Sequence, residues 1–333
     1  MLFHLAGNPT LAPQWGRAAL GAAAVIAVLR PRSPLAAAPL AVAVLVNVWL
    51  EAPLLGNHWL LHGFVAVLVL ASAAAGRWDP GASMTRLLAP ARFTLLAFYA
   101  FAAFAKLNSD FFEPAVSCAV YYLRESADSW GVDIGTPDQP WAVAVAVVVA
   151  AVELSVPVLL LVRRTRQPGV LLALVFHYVL AVDRSHQFAD FSSLLVALFL
   201  LFLAPGAASA VVDQLRDAGM RLRRRVDPDL VRFGVVTLLG LVVVFASGPA
   251  SWDAPPSLRQ LAVFTWLGYG AAATYLVASA MRRGPHDADR LLPSGSSRWL
   301  LLVPAVAVLN GATPYLELKS SASWNMYGNL AVV

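Results

Sequence analysis

Long apolar runs follow one another along almost the whole chain, separated by short breaks that carry most of the arginines. A helix needs roughly 20 apolar residues to cross about 30 Å of hydrocarbon. Backbone groups find no water there, so helices are the default for runs this apolar. The runs predict ten spans, near 12–29, 34–55, 58–76, 91–108, 141–162, 168–183, 187–204, 231–248, 257–281 and 298–316. The sixth and seventh are short and close together, as in a re-entrant or broken pair. The chain is 59% hydrophobic and 13% charged, against roughly 45–50% and about 25% in an ordinary soluble domain. Those figures exclude a soluble enzyme, a disulfide scaffold, a coiled coil and a disordered chain. The expected fold is all-α, one polytopic transmembrane helical bundle over residues 1–333.

Charge placement predicts an orientation. With ten spans, 18 of the 24 basic residues fall on one side, from Arg30 and Arg32 through Arg92 to the cluster Arg221, Arg223, Arg224 and Arg225. Eleven of the 19 acidic residues fall on the other. The positive-inside rule then puts both termini outside and the arginine-rich loops in the cytoplasm, in a plasma (inner) membrane. The net charge of +5 is dispersed in short runs rather than gathered in a stripe, so no nucleic acid is expected as a partner. Cys118 is the only cysteine, which excludes an intramolecular disulfide and a cysteine metal cluster. The first residues lack the basic stretch of a cleavable signal peptide.

Two connections are long. Residues 109–140 face outside, and Tyr121, Tyr122 and Trp130 suit a segment at the interface. Residues 205–230 face inside, with Val211, Leu215, Ala218 and Leu222 on one helical stripe opposite several arginines. That pattern fits a helix on an anionic leaflet, with membrane lipids as its partner.

An ionisable residue inside a span costs roughly 2.5–3.5 kcal/mol on insertion scales, so each needs a reason. The outward half collects His58, His62, Lys106, Asp110, His177, His186 and Asp190, while Glu153 lies deep in the fifth span. His58 and His62 are four apart and share a helix face. No glutamate in zinc-peptidase spacing stands between them and no further ligand is in view, so interfacial histidines are expected and no metal. Lys106 and Asp110 are also four apart, as in a snorkelling lysine paired with a carboxylate. Tyr99 shares the Lys106 face, and the small Ala102 and Ala103 between them leave room for a neighbouring helix or a flat ligand. Pro157 removes the hydrogen bond that would engage the Glu153 carbonyl, which predicts a bend. Glu153 itself is either hydrogen-bonded inside the bundle or part of a proton relay.

Three segments together resemble the membrane domain of the vitamin K-dependent γ-carboxylase, the group also called HTTM proteins. Asn57-His58 opens an apolar helix. Residues 98–111, from Phe98-Tyr99 through Ala105-Lys106-Leu107 to Asp110-Phe111, are similar to the stretch that holds the carboxylase's active-site lysine. Phe176-His177 and Phe188-Ala189-Asp190-Phe191-Ser192 are similar to that family's phenylalanine–histidine and phenylalanine–serine elements. The ending 310–319 looks more like bacterial HTTM proteins.

The resemblance implies that the lysine matching Lys106 is a base that activates a reduced quinone toward oxygen. It implies too that the histidine matching His58 assists carboxylation, and that the site faces outward. This chain departs from the pattern at Ala105, where the family has a second lysine, and at Asn108, where it has an acid. No counterpart of the family's large lumenal domain is expected after the last span. Peptidyl-glutamate carboxylation is therefore not expected; a pocket for a quinone-like or lipid-like molecule is.

The leading expectation is a membrane-embedded redox or quinone-related enzyme. Lys106 would be the base, Asp110 and His177 its orienters, and His58 a proton carrier. Tyr99, Ala102, Ala103 and His62 would contact the cofactor, a reduced quinone of the vitamin K type or another small apolar ligand. A transporter would instead use Glu153, and a non-catalytic assembly protein would use 109–140 and 205–230 as contacts.

Overall fold

The structure, a computed structural model, describes residues 13–52, 56–184, 188–225, 256–283, 289–292, 297–318 and Trp324. Among the described residues all regular structure is helical. The order is α1 Gln14–Leu29, α2 Pro34–Glu51, α3 Asn57–Ala75, α4 Pro80–Phe104, α5 Ser109–Phe112 and α6 Cys118–Ser129. It continues with α7 Pro140–Leu161, α8 Arg166–Leu180, α9 Ala189–Leu200, α10 Pro205–Arg225 and α11 Pro256–Arg283. A 3-10 turn, Arg298–Leu301, then leads into α12 Leu302–Ala312.

Local chemistry sets the boundaries. The Ser33 side chain accepts from the Ala36 N–H at 3.3 Å ahead of Pro34, and Asp79 accepts from the Ala82 N–H at 2.7 Å ahead of Pro80. Such a cap satisfies an N–H the first turn leaves unpaired, and proline fits where no N–H is needed. The fourth span, expected at 91–108, is consequently a 25-residue helix from Pro80 that stops at Phe104, with Pro90 inside it. Pro157 likewise lies within α7, which runs on to Leu161.

Among the described residues four helices, α2, α3, α4 and α7, are long and apolar enough to cross a membrane. α1, α9 and α12 contain shorter apolar helices, and the expected span at 231–248 lies outside the described residues. The most apolar of the four, α7, has only 28% of its apolar stretch buried. Val143, Val147, Val148 and Val158 point outward from it. Water would penalise that much apolar surface, and hydrocarbon would not.

The core lies among α4, α8, α9 and α11, with Trp324 between the rings of Phe64 and Phe98 at 5.4 and 5.5 Å. α1 and α2 are pinned by Asn47, whose side-chain amide donates to the Gly16 and Ala43 carbonyls at 3.0 and 2.7 Å. α12 packs on α4 through Gly311, where an added Cβ would overlap the Phe101 ring. That ring is stacked on Tyr315, so it has little freedom to yield. Gly311→Ala is expected to cost about 1–3 kcal/mol, read as a lower unfolding midpoint in detergent.

At one end of the bundle two buried arginines gather three connections. Arg92 on α4 donates to the Leu201 carbonyl at 2.8 Å, to the Arg290 carbonyl at 3.0 Å and to the Asp289 carboxylate at 3.0 and 3.2 Å. Arg166 donates to the Leu160 and Leu161 carbonyls at 2.8 and 3.3 Å and to the Asp289 carbonyl. Each guanidinium thus sits on the carbonyl end of a helix, where the backbone carries partial negative charge. The ends of α7 and α9 and residues 289–290 meet at this end of the bundle.

α10 begins against α11, with Ala207 buried and the Ser279 hydroxyl donating to Gln214 at 2.6 Å. From Leu215 to Arg221 each of its residues is exposed.

Candidate functional site

The site is built where α4 ends. Tyr99, Ala102 and Lys106 lie on one face because residues three and four apart stack along a helix. Lys106 falls in the turn just past Phe104, and its Nζ folds back to donate to the Ala102 carbonyl at 3.2 Å. That carbonyl belongs to the last turn, which has no intrahelical donors left. The same Nζ lies 2.6 Å from Glu153 Oε2 on α7 and 5.9 Å above the Phe111 ring. The Lys106 side chain is 5% exposed and that of Glu153 14%. Glu153 is 13 residues into α7, about 20 Å along its axis at 1.5 Å per residue. The lysine amine therefore meets α7 well inside that helix rather than at its start.

Asp110 does not have the position expected of it. The helix ends at Phe104, and Asn108 starts a separate short helix by accepting from the Phe111 N–H at 2.9 Å. Lys106 and Asp110 therefore do not share one helix face. Asp110 is exposed and accepts from the Ser109 hydroxyl at 3.2 Å, so Glu153 stands in the orienting place given to it.

A cavity of about 200 Å³ opens beside the Lys106–Glu153 pair. One face of α6, with Cys118, Tyr122 and Ser126, forms a wall, and Val145, Val149 and Glu153 of α7 form another. Rings of Phe98, Tyr99, Phe176 and Phe191 supply much of the rest. His177 also lines it. Its Nε2 and the Tyr99 hydroxyl are hydrogen-bonded at 3.0 Å, and its ring lies 5.5 Å from Phe191 and 5.8 Å from Phe199. Tyr99 thus spans from the His177 imidazole to the Lys106 face.

α6 is tied in place at its far end. Ser126 Oγ and the Trp130 indole N–H both donate to the Val182 carbonyl, at 3.1 and 3.3 Å. Arg184 donates to the Ser129 carbonyl at 3.0 Å and stacks over Trp130 at 5.0 Å. Residues 109–140 therefore supply part of the site's wall.

His58 and His62 are elsewhere. His58 Nε2 lies 3.3 Å from Asp190 Oδ2, and Asp190 is 1% exposed. Phe191 contacts both the His58 and the His177 rings and stands between the two imidazoles. His62 Nδ1 donates to the His58 carbonyl at 2.9 Å, and its ring packs on Trp59. Neither histidine lines the cavity, and the expectation that His62 contacts a cofactor is corrected: its imidazole bonds its own helix. Among the described residues no group of histidine, cysteine and carboxylate side chains could hold a metal. Tyr99 and Ala102 line the cavity, whereas Ala103, one position and about 100° further round the helix, is buried off its wall. His186 lies outside the described residues.

The sequence marks Phe111 and Tyr122 only as a motif residue and an interface residue, and does not single out the valines of α7, because apolar residues in an apolar protein carry no signal of a site. The Glu153 contact did have one. A lone lysine and a lone glutamate, each costly in hydrocarbon, are cheapest together.

The chemistry follows from the pair. In its ion-paired form the amine has no lone pair to offer, and the atom able to take a proton is a Glu153 carboxylate oxygen. Lys106 then supplies positive charge to an oxygen that becomes anionic beside it, which is worth most in a water-poor site. No protein-family model matches this chain, and no curated protein or solved structure matches it either.

Proposed function

We propose that the chain is an integral membrane protein of about ten spans, with both termini outside, whose pocket binds and deprotonates a flat apolar ring bearing a hydroxyl. A reduced quinone is the compound class that fits best. The observation that carries this is the 2.6 Å Lys106–Glu153 pair set into an otherwise aromatic and aliphatic cavity. An apolar cavity of about 150 Å³ holds benzene, so about 200 Å³ admits a ring head of slightly greater size and not a lipid tail. Val179 lines the cavity and is exposed on α8, which supports sideways access from lipid, with any tail left outside.

In this reading the ring hydroxyl gives its proton to Glu153, and Lys106 holds the resulting oxyanion. Tyr99, fixed by His177, bounds the far side. The likeness of residues 98–111 to the carboxylase stretch supports a place for Lys106 at the reacting ring, but as the holder of the oxyanion, with Glu153 rather than the lysine as the base. Pairing with Lys106 also accounts for the deep carboxylate that favoured a transport path. The exposed length of α10, with Arg216 and Arg221 beside Leu215, fits anchorage to anionic lipid on the cytoplasmic side.

A reduced naphthoquinone added to the purified protein tests the reading. Quinone-dependent oxygen uptake and ring binding are expected in the parent, and both are expected to fall at least a hundredfold in Lys106→Ala. Unchanged uptake and binding in that variant would remove the assignment.

A further inference from the structure

At the end of the bundle away from Lys106, the connection between α1 and α2 lies beside the connection between α3 and α4. Arg30, Arg32, Leu35 and Trp78 line an open depression between them. The backbone there is held in an unusual shape. Arg77 and Trp78 have φ of 53° and 63°, a region that side-chain-bearing residues enter at a cost of about 1–2 kcal/mol each. The turn is closed by the Trp78 N–H donating to the Ala73 carbonyl at 2.8 Å. Gly76 cannot relieve it by exchange with a larger residue, because a Cβ would lie 2.6 Å from Ser83 Oγ and 2.7 Å from the Ser83 backbone nitrogen. Trp78 is 40% exposed and lines the depression together with the two arginines.

The depression is electrostatically one-sided. Among the described residues no carboxylate lines it. The neighbouring Asp79 is engaged by the Ala82 N–H, and neither Arg30 nor Arg32 has an ion pair among the described residues. Leu29 and Leu35 flank it with outward-facing aliphatic surface. Its level is that of the ends of α2 and α3, both long enough to span. Guanidiniums match phosphate oxygens in geometry, and indoles favour the headgroup level of a bilayer.

We propose that Arg30, Arg32 and Trp78 form a seat for the phosphodiester of an anionic membrane phospholipid, whose acyl chains lie along Leu29 and Leu35. The two guanidiniums hold the phosphate, the indole covers the glycerol, and the site is independent of the Lys106 pocket.

The full-length protein in phosphatidylcholine nanodiscs, titrated with brominated phosphatidylglycerol, tests this. Phosphatidylglycerol is expected to quench tryptophan emission, and Trp78→Phe to abolish most of that quenching. Arg30→Gln/Arg32→Gln is expected to weaken phosphatidylglycerol binding roughly thirtyfold. The charge-preserving Arg30→Lys/Arg32→Lys should retain most of it, which separates loss of charge from loss of fold. Equal affinity in the glutamine variant, or quenching untouched by Trp78→Phe, would overturn the proposal. Displacement of the lipid by millimolar inorganic phosphate would also overturn it, by reassigning the seat to a soluble anion.

Discussion

Glu153→Gln is expected to destabilise the protein by about 3–5 kcal/mol, because it leaves the Lys106 charge buried without its counter-ion. Lys106→Met should do the same from the other side. The double variant Lys106→Met/Glu153→Leu should return to within about 2 kcal/mol of the parent, since a buried pair replaced by apolar residues of similar size is often neutral. Unfolding midpoints in detergent, with refolding checked, give the three values. Ring binding is expected to stay lost in all three. Restored stability without restored binding would separate what the pair does for the fold from what it does for the ligand. Singles as stable as the parent would show that the pair is not buried as described.

Arg92→Met carries the second large effect. Its guanidinium is 1% exposed and joins α4 to the Leu201 carbonyl, the Arg290 carbonyl and the Asp289 carboxylate. Removing it leaves that carboxylate and two carbonyls short of a donor, at a cost of about 3 kcal/mol or more. The loss should be local before it is global. Amide exchange is expected to rise first in α12, whose approach to the bundle follows residues 289–292, and later in α7. Asp289→Asn should cost less, about 1–2 kcal/mol, because the amide oxygen still accepts one of the two bonds. A uniform rise in exchange across the bundle would show that Arg92 does not anchor one connection in particular.

Much of the helical organisation was legible because a span is a local property. Long apolar runs announce helices whatever their neighbours, and the second span begins at Pro34 as expected, whereas α4 begins at Pro80, eleven residues before the span expected there. Boundaries set by single caps were less legible. Nothing local to residues 104–108 says that α4 stops at Phe104 and that Asn108 begins again, and that break is what turned Asp110 away from Lys106. The same holds for His58, whose spacing from His62 is right for a shared face but whose imidazole is taken by Asp190, far along the chain.

The primary structure alone established an all-helical chain rich in membrane-compatible helices, and it singled out Lys106, Tyr99, His177 and Glu153 as polar groups needing a reason in that setting. Hydrophobic run length and the cost of charge in hydrocarbon act residue by residue, so both can be worked out without coordinates. Only the tertiary structure decided which of those groups meet. Lys106 reaches Glu153 because α4 and α7 pack side by side and the lysine folds back along its helix; Tyr99 reaches His177 because both side chains extend from their helices into the shared core. Partners separated by dozens of residues are chosen by helix packing, which depends on many apolar contacts at once and leaves no mark at any single position.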